Sequence, residues 1–421
     1  MSNGARQACS SAFFRLTHGK TGGIFMWLKS GRIFDANTGE YRNADILVED
    51  GRIADVARAP NQGAEVVDLD GRYLFPGFID CHVHICVKSD NANPHNPWRD
   101  VLPGTIAIWG VRAAKRMLHA GVTTAREVGG WDYHEIAVRD AIDAGWIEGP
   151  RLFCSGRILT ITSSTTPYFA GMYEEADGPE AVRAAARKQF AKGANLIKIL
   201  ASGSLQSSRY ERADAIQYRP DEIRAAVEIA EDNFTHVAAH AHANKAIRNA
   251  VECGCHSIEH GTYGSADIFD LMVERGTYLV PTLCTTPGLL GDETFARDVP
   301  PHIRERKEKA HKIKVANLKL ARERGVKVAM GSDVGAPGCH CGDNLFELEV
   351  MVEEAGYQPV EAIRSATLIA AELMGLEKEL GSLEIGKRAD VVAFTDDPLN
   401  AIGALRRPIF VMKDGAIVRN E

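Results

Sequence analysis

The sequence predicts an α/β fold: a (β/α)8 barrel of the TIM type carrying a small β-sandwich formed by both chain ends. Three observations point there. Helix-like and strand-like segments alternate through the middle of the chain, the pattern of a parallel sheet. The strand-like segments number eight, which suggests closure into a barrel. Short β-prone runs joined by Asp-Gly turns occur at both ends. A doubly wound open sheet is the structural alternative, but no Gly-x-Gly-x-x-Gly or Walker sequence supports it.

Composition sets the outer bounds. A chain of 421 residues is long enough for one large barrel and an accessory domain. Hydrophobic residues make up 45% and charged residues 25%, an ordinary globular balance. The formal charge of -7 argues against nucleic acid and acidic membrane surfaces as partners. Nine scattered cysteines suggest reduced thiols in a cytoplasmic protein. No apolar run reaches membrane-spanning length. Residues 1–26 contain no signal-type apolar core and read as a flexible extension.

From residue 27 the elements follow in order. Residues 27–74 hold β-prone runs at Leu28–Phe34, Ala44–Val48, Ile53–Ala57 and Glu65–Asp68, with Asp50-Gly51 and Asp70-Gly71 as turns. The pattern returns in residues 381–421, where Val391–Phe394 is followed by an Ile409–Lys413/Ala416–Arg419 hairpin across Asp414-Gly415. The two stretches are read as one β-sandwich, with residues 75–380 inserted between them as the barrel. Phe75 to His84 forms the first barrel strand, preceded by a break at Pro76-Gly77. The next seven are Val122–Val128, Arg151–Ser155, Asn195–Ala201, His236–His242, Ser257–His260, Tyr278–Leu283 and Val326–Gly331. Helices are predicted between them, the longest a charged one from Ile303 to Arg324. A Gly follows most of them, as a left-handed cap requires.

The chemistry lies at the C-terminal ends of these strands. His82 and His84 end the first, Lys198 lies on the fourth, His240 and His242 end the fifth, His260 ends the sixth, and Asp333 follows the eighth. Alternation puts the two imidazoles of each His-x-His on one side of its strand. Each residue alone has an ordinary explanation: a strand-capping His260, a snorkelling Lys198, a turn-forming Asp333. Their common position at the mouth of one barrel is what marks them. Four His and one Asp suit a borderline-soft divalent ion such as zinc. Lys198 fits such a site only as a neutral amine, which can add carbon dioxide and become an anionic carbamate bridging two ions.

These residues sit in a set of motifs that resembles the amidohydrolase superfamily from Leu28 to Arg419. The motifs are Phe-Pro-Gly-Phe-Ile-Asp-Cys-His-Val-His, Ile-Lys-Ile-Leu-Ala-Ser-Gly, Ala-His-Ala-His-Ala, Ser-Ile-Glu-His-Gly, Gly-Ser-Asp-Val-Gly and the closing Gly381–Asp390 stretch. Within the superfamily the chain is most similar to the binuclear branch of Xaa-Pro and Xaa-Arg dipeptidases, prolidase-like carboxypeptidases and ochratoxin-type amidases. The resemblance implies two divalent ions. His82, His84 and Asp333 would hold one, His240 and His260 the other, with carboxylated Lys198 and a hydroxide between them. It implies hydrolysis of an amide-type C–N bond in a dipeptide, N-acyl amino acid, aryl amide, carbamate or urea. Asp333 would serve as base and then acid, and His242 would polarise or orient the scissile carbonyl. The expected partner is a small-molecule substrate, and a homo-oligomer is expected.

The segment Thr160–Tyr168 lacks the His that many relatives carry after the third strand. Arg209, Tyr210 and Tyr218 follow the fourth strand and, with His340, are candidates to meet the substrate. Cys339-His340-Cys341 offers too few ligands for a separate structural zinc, and Cys253 and Cys255 read as buried thiols. A hydrolase of hydantoin- or imidazolone-like cyclic amides and a one-ion deaminase are the enzymatic alternatives. The deaminase has no use for Lys198. A barrel scaffold without metal should have lost ligands, and none is missing.

Overall fold

The computed structural model describes residues 25–421 except 30, 58–64, 70, 91–97, 99 and 292. The extension over residues 1–24 and the Asp70 half of one turn lie outside the described residues. The first strand begins at Phe25, two residues inside the expected flexible extension. It pairs antiparallel with Asp45–Glu49 and parallel with Glu65–Asp68. The expected single run Leu28–Phe34 is two strands, Phe25–Lys29 and Ile33–Asp35, separated at Gly31 (φ +79°) and placed in different sheets.

Both chain ends enter one six-stranded sheet. Its order is Ala416–Asn420, Phe410–Lys413, Val391–Phe394, Tyr73–Pro76, Ile33–Asp35, Glu40–Arg42. A four-stranded sheet faces it, and Leu28, Ile46, Val48, Leu74, Val391 and Phe410 belong to one buried apolar cluster. Asp414 and Gly415 have φ of +49° and +75°, the left-handed pair that a two-residue hairpin turn needs.

Phe75 and Pro76 lie in this sandwich sheet, and the chain crosses into the parallel layer at Gly77. A Cβ there would sit 2.2 Å from Thr123 Oγ1, so only glycine permits the crossing. The parallel strands are β1 (Phe78–Val83), β2 (Val122–Glu127), β3 (Arg151–Cys154), β4 (Ile197–Leu200), β5 (Val237–Ala241), β6 (Ser257–His260) and β7 (Tyr278–Val280). They form two sheets: β3-β2-β1, and a six-stranded sheet in which β4 to β7 follow two short strands, Tyr173–Glu175 and Ile158–Thr160, that sequence periodicity did not reveal.

The expected eighth strand forms no ladder of its own. Residues 326–331 run extended and make one parallel bridge, Leu279 to Val328. The Lys327 carbonyl accepts from Leu279 N–H at 3.0 Å, and the Met330 carbonyl accepts from Cys81 N–H at 2.9 Å. Met330 N–H is taken by the Ser365 carbonyl at 2.9 Å, which removes it from strand pairing. Three helices beyond Asp333 were also not foreseen: Phe346–Glu353, Pro359–Ser365 and Leu368–Leu373.

The helices form where their apolar stripes find cover. Pro103–His119 buries Ile106, Ala113, Ala114 and Met117, and starts at Pro103, whose missing N–H costs nothing in the first turn. Ala266–Arg275 ends at Gly276 in the left-handed region (φ +67°), whose N–H reaches the Met272 and Val273 carbonyls. The eight cysteines among the described residues are buried and form no disulfide. No helix among the described residues is long and apolar enough to cross a membrane.

Candidate metal centre

The strand ends bring the histidines and Asp333 to one cavity, lined also by Lys198. His82, His260 and Asp333 place ligand atoms within 4.8 Å of one another, and so do His240, His242 and His260. His260 (φ +72°) and Asp333 (φ +58°) both stand in the left-handed backbone region, which Asp and His enter more readily than most side chains. The Gly-Ser-Asp-Val-Gly spacing has a steric reason: a Cβ on Gly331 would lie 2.7 Å from His82 Cβ, and one on Gly335 would lie 2.3 Å from the His84 carbonyl oxygen. The chain can pass the two histidines only where it has no side chain.

Four imidazoles are held from behind through Nδ1. His82 Nδ1 is 2.7 Å from Glu259 Oε2, His84 Nδ1 3.0 Å from the Gly129 carbonyl, His242 Nδ1 2.7 Å from Thr262 Oγ1, and His260 Nδ1 2.7 Å from Thr282 Oγ1. Such partners set tautomer and ring orientation. His240 differs, with Nε2 3.2 Å from the Gly203 carbonyl. Asp333 Oδ1 lies 3.4 Å from His84 Nε2 and 3.6 Å from His82 Nε2.

Glu259 is itself buried in a network. Arg126 donates to Glu259 Oε1 at 2.8 Å, to the Cys81 carbonyl at 2.7 Å and to Ser257 Oγ at 3.0 Å. Burial would raise the Glu259 carboxyl, but the Arg126 and Lys198 charges hold it well below the usual carboxylate range. Sequence reasoning missed Glu259, Arg126, Thr262 and Thr282. The available signal was a charged residue in each of two apolar strands, at Arg126 and Glu259.

Electrostatics leave most of these rings neutral at neutral pH, the state a metal ligand needs. Desolvation, with the Lys198 charge, lowers His82 to about 4 and His240 to about 3. Desolvation and neighbouring cations also hold His242 and His260 well below their ordinary value. His84 is the exception: burial lowers it, but Asp333 and Glu127 lift it to about 9. Asp333 is held well below the carboxylate range, because the His84 hydrogen bond and the charges around it outweigh burial.

Lys198 is 1% exposed, and its Nζ has no hydrogen-bond partner among the described residues. Desolvation pushes it down to about 8. A buried amine left without a partner, among mostly neutral imidazoles and one carboxylate, is a donor set that fits divalent ions and a modified lysine.

Residues 73–418 match the amidohydrolase family. The chain belongs to that family. It is a hydrolase acting on amide-type C–N bonds. Ochratoxinase from Aspergillus niger is 31% identical over 398 residues, covering 87% of this chain and 80% of that protein. A Xaa-Pro dipeptidase solved with methionine in its active site superposes with a TM-score of 0.86 at 30% identity, over 94% of this chain and all of the other. A prolidase solved with N-methylphosphonate-L-proline gives 0.85, also at 30% identity and over 94% of this chain and 100% of that one. These neighbours imply the TIM-barrel class for the amidohydrolase described here.

The four candidate substrate contacts do not line the cavity. Arg209 is exposed and lies over the ring of Tyr210, itself 76% exposed. Tyr218 is fully buried in the core. The His340 ring nitrogen Nδ1 is 2.9 Å from Ser89 Oγ, next to other clefts. The Thr160–Tyr168 segment also stays off the wall, which is built beside it from Ile158, Phe169, Met172 and Tyr173. The lining residues that sequence reasoning did not single out include two lysines, Lys307 and Lys314, on the long helix Pro301–Glu323.

Proposed function

We propose that this amidohydrolase cleaves an amide-type C–N bond of a small molecule at two divalent ions, zinc being the ion that the donor set suits. His82, His84 and Asp333 would hold one ion, His240 and His260 the other, and Lys198, carboxylated on Nζ, would bridge them. The observation that carries the reading is the buried, unpartnered Lys198 Nζ. Burial disfavours the ammonium, and a neutral amine can add carbon dioxide to give a two-oxygen anion. That product suits a pair of cations where an ammonium would be repelled.

When bound, the ions supply an activated water and polarise the carbonyl. The residues of the chain do the rest. Asp333, ionised and facing the cavity, takes a proton and passes it to the leaving amine. In the tautomer in which the Thr262 hydroxyl donates to Nδ1, His242 keeps its proton on Nε2 and can hydrogen-bond through it to the scissile carbonyl oxygen. The same reading takes the parallel strands as a closed eight-stranded barrel. It is supported by the solved relatives and by the 326–331 segment, which hydrogen-bonds to Leu279 on one side and Cys81 on the other.

The test is metal analysis of the purified protein together with a hydrolysis panel. The panel holds N-acyl amino acids, Xaa-Pro and Xaa-aromatic dipeptides, aryl carbamates, phenylureas and cyclic amides. Turnover of one class at about two ions per chain, with both lost in Lys198→Ala, is the expected result. Ammonia release from an aminated ring at about one ion per chain, with no other hydrolysis, would replace the reading with a deaminase.

A further inference from the structure

The helix Pro301–Glu323 turns a stripe of buried residues inward: Ile303, Lys307, Ala310, Lys314, Leu318 and Ala321. Two of the six are lysines, seven residues apart. That spacing is nearly two full turns, so both side chains leave the same face, with Cα atoms about 10.5 Å apart along the axis. Both reach the cavity that holds the histidines and Asp333. Lys307 is 2% exposed and Lys314 is 4% exposed. A buried ammonium is costly unless it is paired.

Pairing is what they lack. Lys314 Nζ donates to the Thr282 carbonyl at 2.7 Å and to Thr282 Oγ1 at 3.1 Å. Among the described residues Lys307 Nζ has only the Thr285 carbonyl at 3.5 Å, the outer edge of a hydrogen bond. Neither forms an ion pair with a carboxylate within 4 Å among the described residues. The nearby buried acid, Glu347, spends its oxygens on the Leu283 and Cys284 N–H groups at 2.8 and 2.7 Å. Among the described residues, three lysine amines line the cavity against one carboxylate, Asp333, which is already placed against His82 and His84. Carboxylating Lys198 and adding two divalent ions leaves the cavity still net positive. An anion from outside completes it.

We infer that Lys307, backed by Lys314, seats a carboxylate of the substrate, so that the molecule cleaved is an acid and not a neutral amide. The inference rests on the hydrolytic reading above and narrows its substrate class. It sets N-acyl amino acids, free dipeptides and other amide acids apart from neutral carbamates and phenylureas. The same cavity is lined by Ile158, Phe169, Met172 and Tyr173, which supply an apolar wall for the rest of the molecule.

Three compounds test this: N-acetyl-L-leucine, with its carboxylate on the amine half; N-isopentylsuccinamic acid, with it on the acyl half; and N-isopentylacetamide, with none. Binding is followed by calorimetry and cleavage by amine release, for wild type, Lys307→Met and Lys307→Arg. Removing a buried charge should leave Lys307→Met folded. At least one acid should bind and be cleaved in preference to the neutral amide. Lys307→Met should cut kcat/KM for that acid by roughly 10- to 100-fold, mainly through KM, while the neutral amide is unchanged and Lys307→Arg restores the preference. Which acid responds identifies the half that carries the anion. The inference is overturned if the neutral amide is bound and cleaved as well as both acids, if Lys307→Met weakens all three alike, or if none binds. Selective, Lys307-dependent binding of an acid with no cleavage of any C–N bond would instead sink the hydrolytic reading and leave the carboxylate seat standing.

Discussion

The histidines of the cavity and two of its lysines, Lys198 and Lys307, are provided for in opposite ways. Four imidazoles have Nδ1 tied to Glu259, Gly129, Thr262 or Thr282. Among the described residues Lys198 Nζ has no hydrogen-bond partner and Lys307 has one long contact; away from the cavity wall, both oxygens of the buried Glu135 are unpartnered too. A ring that must aim a lone pair needs a second anchor. An ammonium waiting for a carboxylate, or for conversion into one, needs a place left open. The folded chain has spent its hydrogen bonds on orientation and left charge unpaired where chemistry or ligand supplies the partner.

The contrast breaks most severely at Glu259. Glu259→Ala removes the His82 anchor and strands Arg126 as a buried unpaired cation. Chemical denaturation should show a loss of about 3–5 kcal/mol, with Glu259→Gln less harmed.

The two threonines sharpen it. Thr282→Val releases His260, and metal affinity should fall about 10- to 100-fold in a competition titration. Thr262→Val releases His242; if that ring faces substrate, metal content stays the same and kcat falls. His242 lies close enough to His240 and His260 to serve as a ligand. Loss of metal in Thr262→Val would therefore move His242 into the metal set.

Glu135 tests the unpaired side through pH. Burial, with Glu127 nearby, raises its carboxyl from 4.5 to about 8. Between those values the unfolded chain has released a proton that the native chain keeps. Native stability from this group therefore falls as pH rises through that window, by at most about 1.4 kcal/mol per unit. Glu135→Gln should flatten that part of a Tm-against-pH curve. An unchanged slope would mean that Glu135 has a partner in solution. The smallest effect belongs to Arg209→Ala, at an exposed position off the cavity. It should change kcat/KM by less than about 2-fold, within the range of ordinary surface substitutions.

Much of this was legible before any coordinates. Helix caps, period-2 runs and Asp-Gly turns are local signals, and they located seven of the parallel strands. The same signals placed His82, His84, His240, His260 and Asp333 at strand ends, because a His-x-His at the end of an apolar run has few other uses. Local signals failed where distant chain decides the outcome. Residues 326–331 look like a strand, but Ser365 takes the Met330 N–H. Arg209 and Tyr210 look suited to a substrate but fold outward.

The sequence by itself determined the family, the alternation of elements and the identity of the residues at the mouth, since each is written in contiguous motifs. Only the tertiary structure decided that Arg126, Glu259 and His82, from three separate strands, share one buried network. Only it turned Lys307 and Lys314 from two charges in a charged helix into cavity-lining cations. The reason is that a helix sequence shows which residues share a face, whereas burial depends on what packs against that face, and here the partner is the rim of strands formed by residues far away in the chain.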